Sequence, residues 1–417
     1  MSMRVVLLLL LFFQLVFARS VNAQTPSLLL LSTDTAWNSR GMMILAGGDA
    51  GISTNALNVG FLQKSILGGH LERGELKDIY EQLPTQSKIG YAVHSDITFM
   101  NFADTLFGNP NLGIRANLSL NYEGFCGFNP RAFGLVYLGN GEFNQGSVDI
   151  GEFVYRNQAW QKIGFGLFNK STLSGFTLSL VAGQSFQSLT IDDARFFTSP
   201  AGDSLTLNVD GVYARSDANR KGLANGSGLG ACVDFDWNVP LGDKSALMSF
   251  SARNLGFVAW NRKTETRELN TAFQWNGLDV TNWLNGATDT LELPSWVDTV
   301  QAPGTMNEEL RLLPASFYFR YMKRITKGSY IESGFSYFPN RVALPMVYVG
   351  MMHMLNAHFS VGERISYGGY GNFAVGIELQ WLSRNSWFVR VGSAQLEGWL
   401  SPMARGRNVF LNVGKSF

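Results

Sequence analysis

From about Ile89 to the C-terminus, apolar and polar positions alternate with a period of two. In residues 112–122, Leu112, Ile114, Ala116, Leu118, Leu120 and Tyr122 share one face, and Gly113, Arg115, Asn117, Ser119 and Asn121 share the other. The same split sets Leu229, Ala231, Val233, Phe235 and Trp237 against Gly230, Cys232, Asp234 and Asp236. It returns with Phe373, Val375, Ile377, Leu379 and Trp381 against Ala374, Gly376, Glu378 and Gln380. This period puts successive side chains on opposite faces of a β-strand. Further strands are predicted around 163–168, 176–182, 205–213, 248–252, 317–321, 331–337, 359–367 and 387–391, for a total of about 14.

A soluble sandwich also alternates, so the character of the two faces decides. Here the polar face carries glycine, serine, asparagine and single charges. The apolar face ends in Tyr122, Trp237 or Trp381, as an aromatic girdle at a membrane interface would. Charged residues make up 16% of the chain, against about 25% in an average soluble domain. After Phe13 no stretch approaches the ~20 apolar residues of a spanning helix. A chain that meets lipid without such helices satisfies its backbone only as a closed barrel. The fold class is therefore all-β, a transmembrane antiparallel β-barrel.

The N-terminal part reads differently. Arg4, the apolar run from Val5 to Phe13 and the small-x-small pattern Val21-Asn22-Ala23 form a secretory signal peptide over 1–23, cut after Ala23. Residues 24–88 do not alternate, and 74–83 is helix-like up to Pro84; the segment is expected to form a plug or hatch. The barrel then spans 89–417, with one long loop insertion at 276–314. Strand parity counted back from the C-terminus puts that insertion outside the cell, and one strand more or fewer reverses this. At the end of the chain, Val409, Leu411, Val413 and the terminal Phe417 share one parity, with Lys415 as the exception. A last strand closing on phenylalanine is similar to the signal by which barrel-assembly machinery recognises its substrates.

Charge and motifs exclude several functions. With 33 basic and 32 acidic residues the formal charge is +1, which gives no field to collect nucleic acid. The histidines, His70, His94, His353 and His358, show no metal-ligand spacing, so no metal and no cofactor are expected. The glycine-rich stretches at 139–146 and 226–230 lack the strand-loop-helix context of a phosphate loop. No nucleophile elbow is present, and no catalytic residue is assigned; the protein is not expected to be an enzyme. His358 and Ser360 share one strand face and are the pair this reading considers for a lipid-hydrolysing site. The charged residues on the polar parity, Asp210, Asp234, Asp236, Arg364, Glu378 and Arg390, are expected to face the lumen, as a charge lattice or as a solute path. Cys126 and Cys232 are left open as a pair or as two free thiols.

Several turn and strand signatures carry a resemblance. These are Asn55-Ala56-Leu57-Asn58-Val59-Gly60-Phe61-Leu62, Gly90-Tyr91-Ala92-Val93, Phe143-Asn144-Gln145-Gly146, Gly277-Leu278-Asp279-Val280 and Leu313-Pro314-Ala315-Ser316-Phe317-Tyr318, followed by the terminal strand. On them the chain resembles an uncharacterised barrel family of Bacteroidota outer membranes, a domain of unknown function distantly similar to FadL-like fatty-acid transporters and PorV-type barrels. The resemblance implies about 14 strands with an N-terminal segment in the lumen, location in the outer membrane, and contact with its lipid and with the assembly machinery. For function it implies either a transporter or channel for a hydrophobic or small solute, or an accessory barrel of an envelope complex such as secretion machinery. A lipid-modifying barrel enzyme is the alternative.

Overall fold

The structure is a computed structural model and describes residues 41–103, 105–143, 146–200, 204–217, 226–242, 245–275, 304–340 and 342–417. The signal peptide, residues 24–40 and residues 276–303 lie outside the described residues.

The strands are β1 (Met42–Thr54), β2 (Ser87–Asn101), β3 (Leu112–Phe128), β4 (Gly146–Asp149), β5 (Phe153–Asn169), β6 (Gly175–Thr198), β7 (Leu205–Arg215), β8 (Gly228–Leu241) and β9 (Ala246–Trp275). They continue as β10 (Thr305–Leu312), β11 (Ser316–Thr326), β12 (Ser329–Tyr337), β13 (Leu344–Met354), β14 (Phe359–Gly369), β15 (Phe373–Leu382), β16 (Trp387–Ser393) and β17 (Gly406–Ser416). Among the described residues four α-helices and a 3-10 helix (Asn140–Phe143) join them; the α-helices are α1 (Val59–Leu67), α2 (Arg73–Gln82), α3 (Pro130–Tyr137) and the single turn α4 (Glu397–Leu400).

All pairings are antiparallel, and β1 is bonded to β2 on one edge and to β17 on the other, from Met43 opposite Ser416 to Ser53 opposite Gly406. That contact closes the sheet, so the wall has no free edge there. Three wall strands are interrupted. β4 and β5 both run antiparallel to β6, β7 and β8 both lie between β6 and β9, and β10 and β11 both pair with β9. Counting each as one gives a closed barrel of 14 strands.

Strand direction places both described chain ends, Gly41 and Phe417, at one rim. Most turns at that rim are short, as at 170–174, 327–328, 355–358 and 383–386. The opposite rim carries the helices, and there β9 ends at Trp275 and β10 begins at Thr305. Short turns at one end and long loops at the other are the asymmetry of outer-membrane barrels. The insertion at 276–314 thus joins the long-loop rim, but its last part, Thr305–Leu312, is a strand and not loop.

In the described part of the expected plug, residues 41–88, the structure differs from the expectation. Met42–Thr54 is a wall strand, and residues 59–82 form two helices at the long-loop rim. Alternation failed to show in β1 because Met43 and Leu45 point inward to an apolar cluster while Met42 and Ile44 point outward. Both faces of the strand are therefore oily at its start. Helix α1 is held by the Asn58 side chain accepting from Phe61 N at 2.7 Å, and it stops at Gly68 in the left-handed region (φ 76°). Phe61, Leu62, Leu76, Ile79 and Phe133 join α1, α2 and α3 into one core with Phe128 at the end of β3.

The outer face is apolar. On β14 and β15, Phe359 and Trp381 pair at one rim, and Tyr367 and Phe373 at the other, all exposed. Eight residues separate each pair of levels, about 27 Å along the strand and about 20 Å across a membrane at a tilt of about 40°. Ile365, Val375, Ile377 and Leu379 fill the band between them. Among the described residues no helix is long and apolar enough to cross a membrane; the strands do the crossing.

Candidate functional site

The inward face holds charges in pairs. In one cluster Arg115 Nη1 donates to Asp236 Oδ2 at 2.8 Å, Arg253 pairs with Asp236 Oδ1, and Ser251 Oγ donates to the same oxygen at 2.9 Å. Beside it Lys162 Nζ donates to Asp234 Oδ2 at 2.6 Å and to Asn254 Oδ1 at 2.8 Å. A register shift between Val233 and Phe235 opposite β9 makes this possible. Asn254 sits at φ 56°, and its N–H donates to Asp234 Oδ1 at 2.8 Å. His94 places Nδ1 at 3.3 Å from Asp49 and Nε2 at 2.8 Å from Glu123.

A second cluster lies across the lumen. Glu332 accepts from Arg320 at 2.8 Å and from Arg364, while Glu378 accepts from Arg390 and from Gln380 at 2.9 Å. The guanidiniums of Arg364 and Arg390 also lie over Tyr348 and Phe410, at 4.5 and 4.7 Å from the ring centres.

The first cluster borders a chamber of about 270 Å³. Its charged lining is Asp49, Asp96, Asp234 and Asp236 with His94, Arg115, Lys162 and Arg253. At the short-turn rim Met43, Leu45, Met100, Phe168 and Phe388 pack into an apolar floor, extended on the opposite strands by Leu247, Met322, Tyr330 and Met352. Nearer the long-loop rim a third apolar cluster includes Trp160, Phe186, Val258, Trp260 and Leu313, with Phe186 and Trp260 edge to face at 4.7 Å. Phe186 lies where the strand made of β7 and β8 is broken. There Ser216 N donates to Phe186 O and Ser227 N to Gly183 O, so both ends of the break are stitched to one short stretch of β6.

Of the residues singled out from sequence, Asp234, Asp236, Arg364, Glu378 and Arg390 face inward and are paired as above. Asp210 does not join them: it is exposed on β7, in the part of the wall that extends beyond β8 toward the long-loop rim. Arg115, Lys162, Arg253, Arg320 and Glu332 were not singled out. Strand parity reaches Arg320, which alternates with Phe319 and Tyr321; a slightly longer β5 reaches Lys162. Val409 and Val413 lie on the outward parity of β17, with Leu411 exposed there, and Phe417 follows the strand. Lys415, the exception, lies 5.0 Å from the centre of Trp387 and 4.8 Å from that of Phe417. Cys126 and Cys232 are free thiols. Among the described residues no group of three or more His, Cys, Asp or Glu is placed to hold a metal ion.

The considered pair of His358 and Ser360 is not brought together as a site. His358 Nδ1 lies 2.7 Å from Leu382 O at the turn before β14. Instead, on the outer wall, Ser329 Oγ lies 3.2 Å from His353 Nδ1, and His353 Nε2 lies 3.4 Å from Glu363 Oε1. These residues come from three adjacent strands and are far apart in sequence, so no spacing motif marks them.

Comparison with known proteins gives fold likenesses at low identity. A mutant of the monoaromatic hydrocarbon channel TodX is 9% identical, with 95% of each chain covered and a TM-score of 0.45. The Pseudomonas putida toluene transporter TodX is 7% identical, covering 93% of this chain and 92% of that one, at 0.35. The translocator domain of the autotransporter NalP from Neisseria meningitidis is 10% identical, covering 93% and 92%, at 0.31. What those proteins pass does not carry over at such likeness. A search of curated proteins found no match. The family comparison matches residues 41–380 to a family of unknown function, and the chain belongs to that family, DUF5723.

Proposed function

We propose that the protein is an exported outer-membrane barrel that passes a small polar solute through a gated internal chamber. The observation that carries this reading is the chamber itself. Its volume of about 270 Å³ lies just under the range of small-molecule sites, about 300–1,000 Å³. Its lining mixes carboxylates with cations, which suits a small solute bearing both charges or neutral polar groups. The apolar clusters at the floor and behind the β7–β8 break make it a compartment that must open to conduct, not a standing water pore. Outer-membrane placement is supported by the lipid-facing band between two aromatic levels and by the signal peptide read from the sequence.

The test is solute entry into liposomes carrying the purified full-length barrel, read by swelling against a panel of small zwitterionic, neutral and apolar solutes. Size-limited entry of the polar solutes, reduced when Arg253 and Asp236 are replaced by Gln and Asn, is the expected result. Entry no faster than in protein-free liposomes for every solute would overturn the reading.

A second reading, an accessory barrel docked to another envelope protein, has one observation of its own. Ile66, Leu67, Val136, Trp399, Leu400 and Met403 are exposed apolar side chains on helices and loops at the long-loop rim. Co-extraction of a stoichiometric partner in mild detergent, with no solute entry, is what that reading expects.

A further inference from the structure

We propose that Ser329, His353 and Glu363 form a hydrolytic site on the outer wall that cleaves the acyl ester of a membrane glycerophospholipid. The distances place the hydroxyl 3.2 Å from one imidazole nitrogen and the carboxylate 3.4 Å from the other. A nucleophile, a base and a group that orients the base are thus in contact order.

The site faces lipid. Its residues lie on the outward parity of their strands: Ser329 with Phe335 and Tyr337 on β12, His353 with Val347 and Val349 on β13, Glu363 with Phe359, Ile365 and Tyr367 on β14. Their registers bring them into one row, since Ser329 pairs with His353, and His353 with Val361, next but one to Glu363. Glu363 is 59% exposed on an outward strand face that is oily along the rest of β14, with Phe359, Val361, Ile365 and Tyr367. An ionisable group on the lipid side of a barrel is unfavourable for the fold, so a structural role alone is a poor reason for it.

The depth fits the substrate. Ser329 begins β12 directly after the turn at 327–328 and His353 lies one residue before the end of β13, so the nucleophile and the base sit at the short-turn rim, whose aromatic level Phe359 marks, while Glu363 reaches His353 from four residues further along β14. Aromatic levels lie at the boundary between headgroups and acyl chains, where the ester carbonyls of glycerophospholipids also lie. Lys323 adds a cation: it is exposed on the outward face of β11, opposite Ile331, and hence a diagonal neighbour of Ser329. Diagonal neighbours are within reach of a long side chain, so Lys323 is placed to meet negative charge developing on the carbonyl oxygen.

The chemistry balances with water as the only co-reactant. Ser329 Oγ bonds to the ester carbon as its proton passes to His353 Nδ1, and the carbonyl electrons move to oxygen. Collapse breaks the carbon–glycerol oxygen bond, and that oxygen takes the proton from Nδ1 and leaves as a lysophospholipid. Water then attacks the acyl-serine and gives its proton to Nδ1. The carbon–Oγ bond breaks, Oγ recovers the proton, and a fatty acid departs. Glu363 acts through His353, as a positioning residue.

The experiment uses the purified full-length barrel in mixed micelles of detergent and a diacyl phosphatidylethanolamine, with fatty acid and lysophospholipid read by mass spectrometry. In parallel, a long-chain alkyl fluorophosphonate is added and its adduct mapped by peptide. Folding of each variant is checked by resistance to unfolding in SDS before heating. Expected are release of both products, an adduct on Ser329, loss of both signals in Ser329→Ala, and a fall of about 100-fold or more in His353→Ala. Glu363→Gln should lower turnover while leaving its dependence on lipid concentration nearly unchanged. The wild-type adduct needs no variant to fold. A folded wild type without adduct, an adduct without lipid hydrolysis, or hydrolysis that persists in folded Ser329→Ala would each overturn the proposal.

Discussion

Lys162 on β5 and Asp234 on β8 meet across the inside of the wall at 2.6 Å, both largely buried, with β6 running between their strands. The bulge that turns Asp234 toward Lys162 also gives its second oxygen the Asn254 N–H, so the carboxylate is fully engaged. Removing only the cation leaves that carboxylate buried and unpaired. Lys162→Met should destabilise the barrel by about 3–5 kcal/mol, whereas Lys162→Met with Asp234→Leu should recover most of the loss. Urea unfolding in lipid vesicles, followed by tryptophan fluorescence, measures both; equal losses in the single and double variants would refute the pairing argument.

The lipid-facing assignment of the last strand gives a second outcome. Leu411 lies mid-strand on β17, outward and 47% exposed, and its neighbour Asn412 points inward toward the chamber. Leu411→Arg should lower stability in a bilayer by about 2–4 kcal/mol, the depth-dependent penalty for a cation on the lipid face. Asn412→Ser should change it far less. The same unfolding measurement distinguishes them, and a large loss at 412 with none at 411 would invert the assignment of faces.

Much of this architecture is legible in the alternation because most wall strands bury one face and expose the other to lipid, as β15 does from Phe373 to Leu382. It fails where that condition fails. In β1 the inward Met43 and Leu45 belong to the apolar floor, so both faces look alike. In β9 the irregularity near Asn254 changes parity. Leu247, Ser249 and Ser251 are buried before it, and Asn254, Val258 and Trp260 after it, so the 30-residue strand reads as a short one. The charge clusters are only half legible. Asp236 and Glu378 are inward by parity, but their partners Arg253 and Arg390 sit on other strands, and only the register brings them together. The outer-wall site is less legible still, because Ser329, His353 and Glu363 carry no motif in their own segments.

On α4, outside the membrane-spanning strands, Glu397 accepts from Val375 N at 3.2 Å, and burial pushes its carboxyl above the usual carboxylate range. A carboxyl raised on folding resists ionisation more than its unfolded counterpart. The folded state therefore loses stability as pH rises from the unfolded value through the raised one. Glu397→Gln keeps an oxygen for Val375 N and removes that loss. Its effect should be near zero in acid and favourable at neutral pH, read as the midpoint of thermal unfolding at several pH values. A constant difference across the range would mean that titration of Glu397 plays no part.

The floor of the chamber offers the sharpest mechanical test. Phe388 on β16 is 3% exposed and packs with Met43, Leu45, Met100 and Phe168, and both Phe388 and Met100 line the chamber from below. Truncating a buried phenylalanine costs about 3–5 kcal/mol and leaves a cavity. In a soluble core that cavity stays sealed, but here it lies between a polar chamber and the aqueous space at the short-turn rim. Phe388→Ala, and more so with Met100→Ala, should turn the brief openings of the gated wild type in a planar bilayer into stable current steps. The outward Leu379→Ala, 52% exposed toward lipid, should leave the current at the wild-type level. Current in the wild type as large as in the floor variants would show that the apolar cluster does not block the path, and the gate would then have to lie at the helical rim.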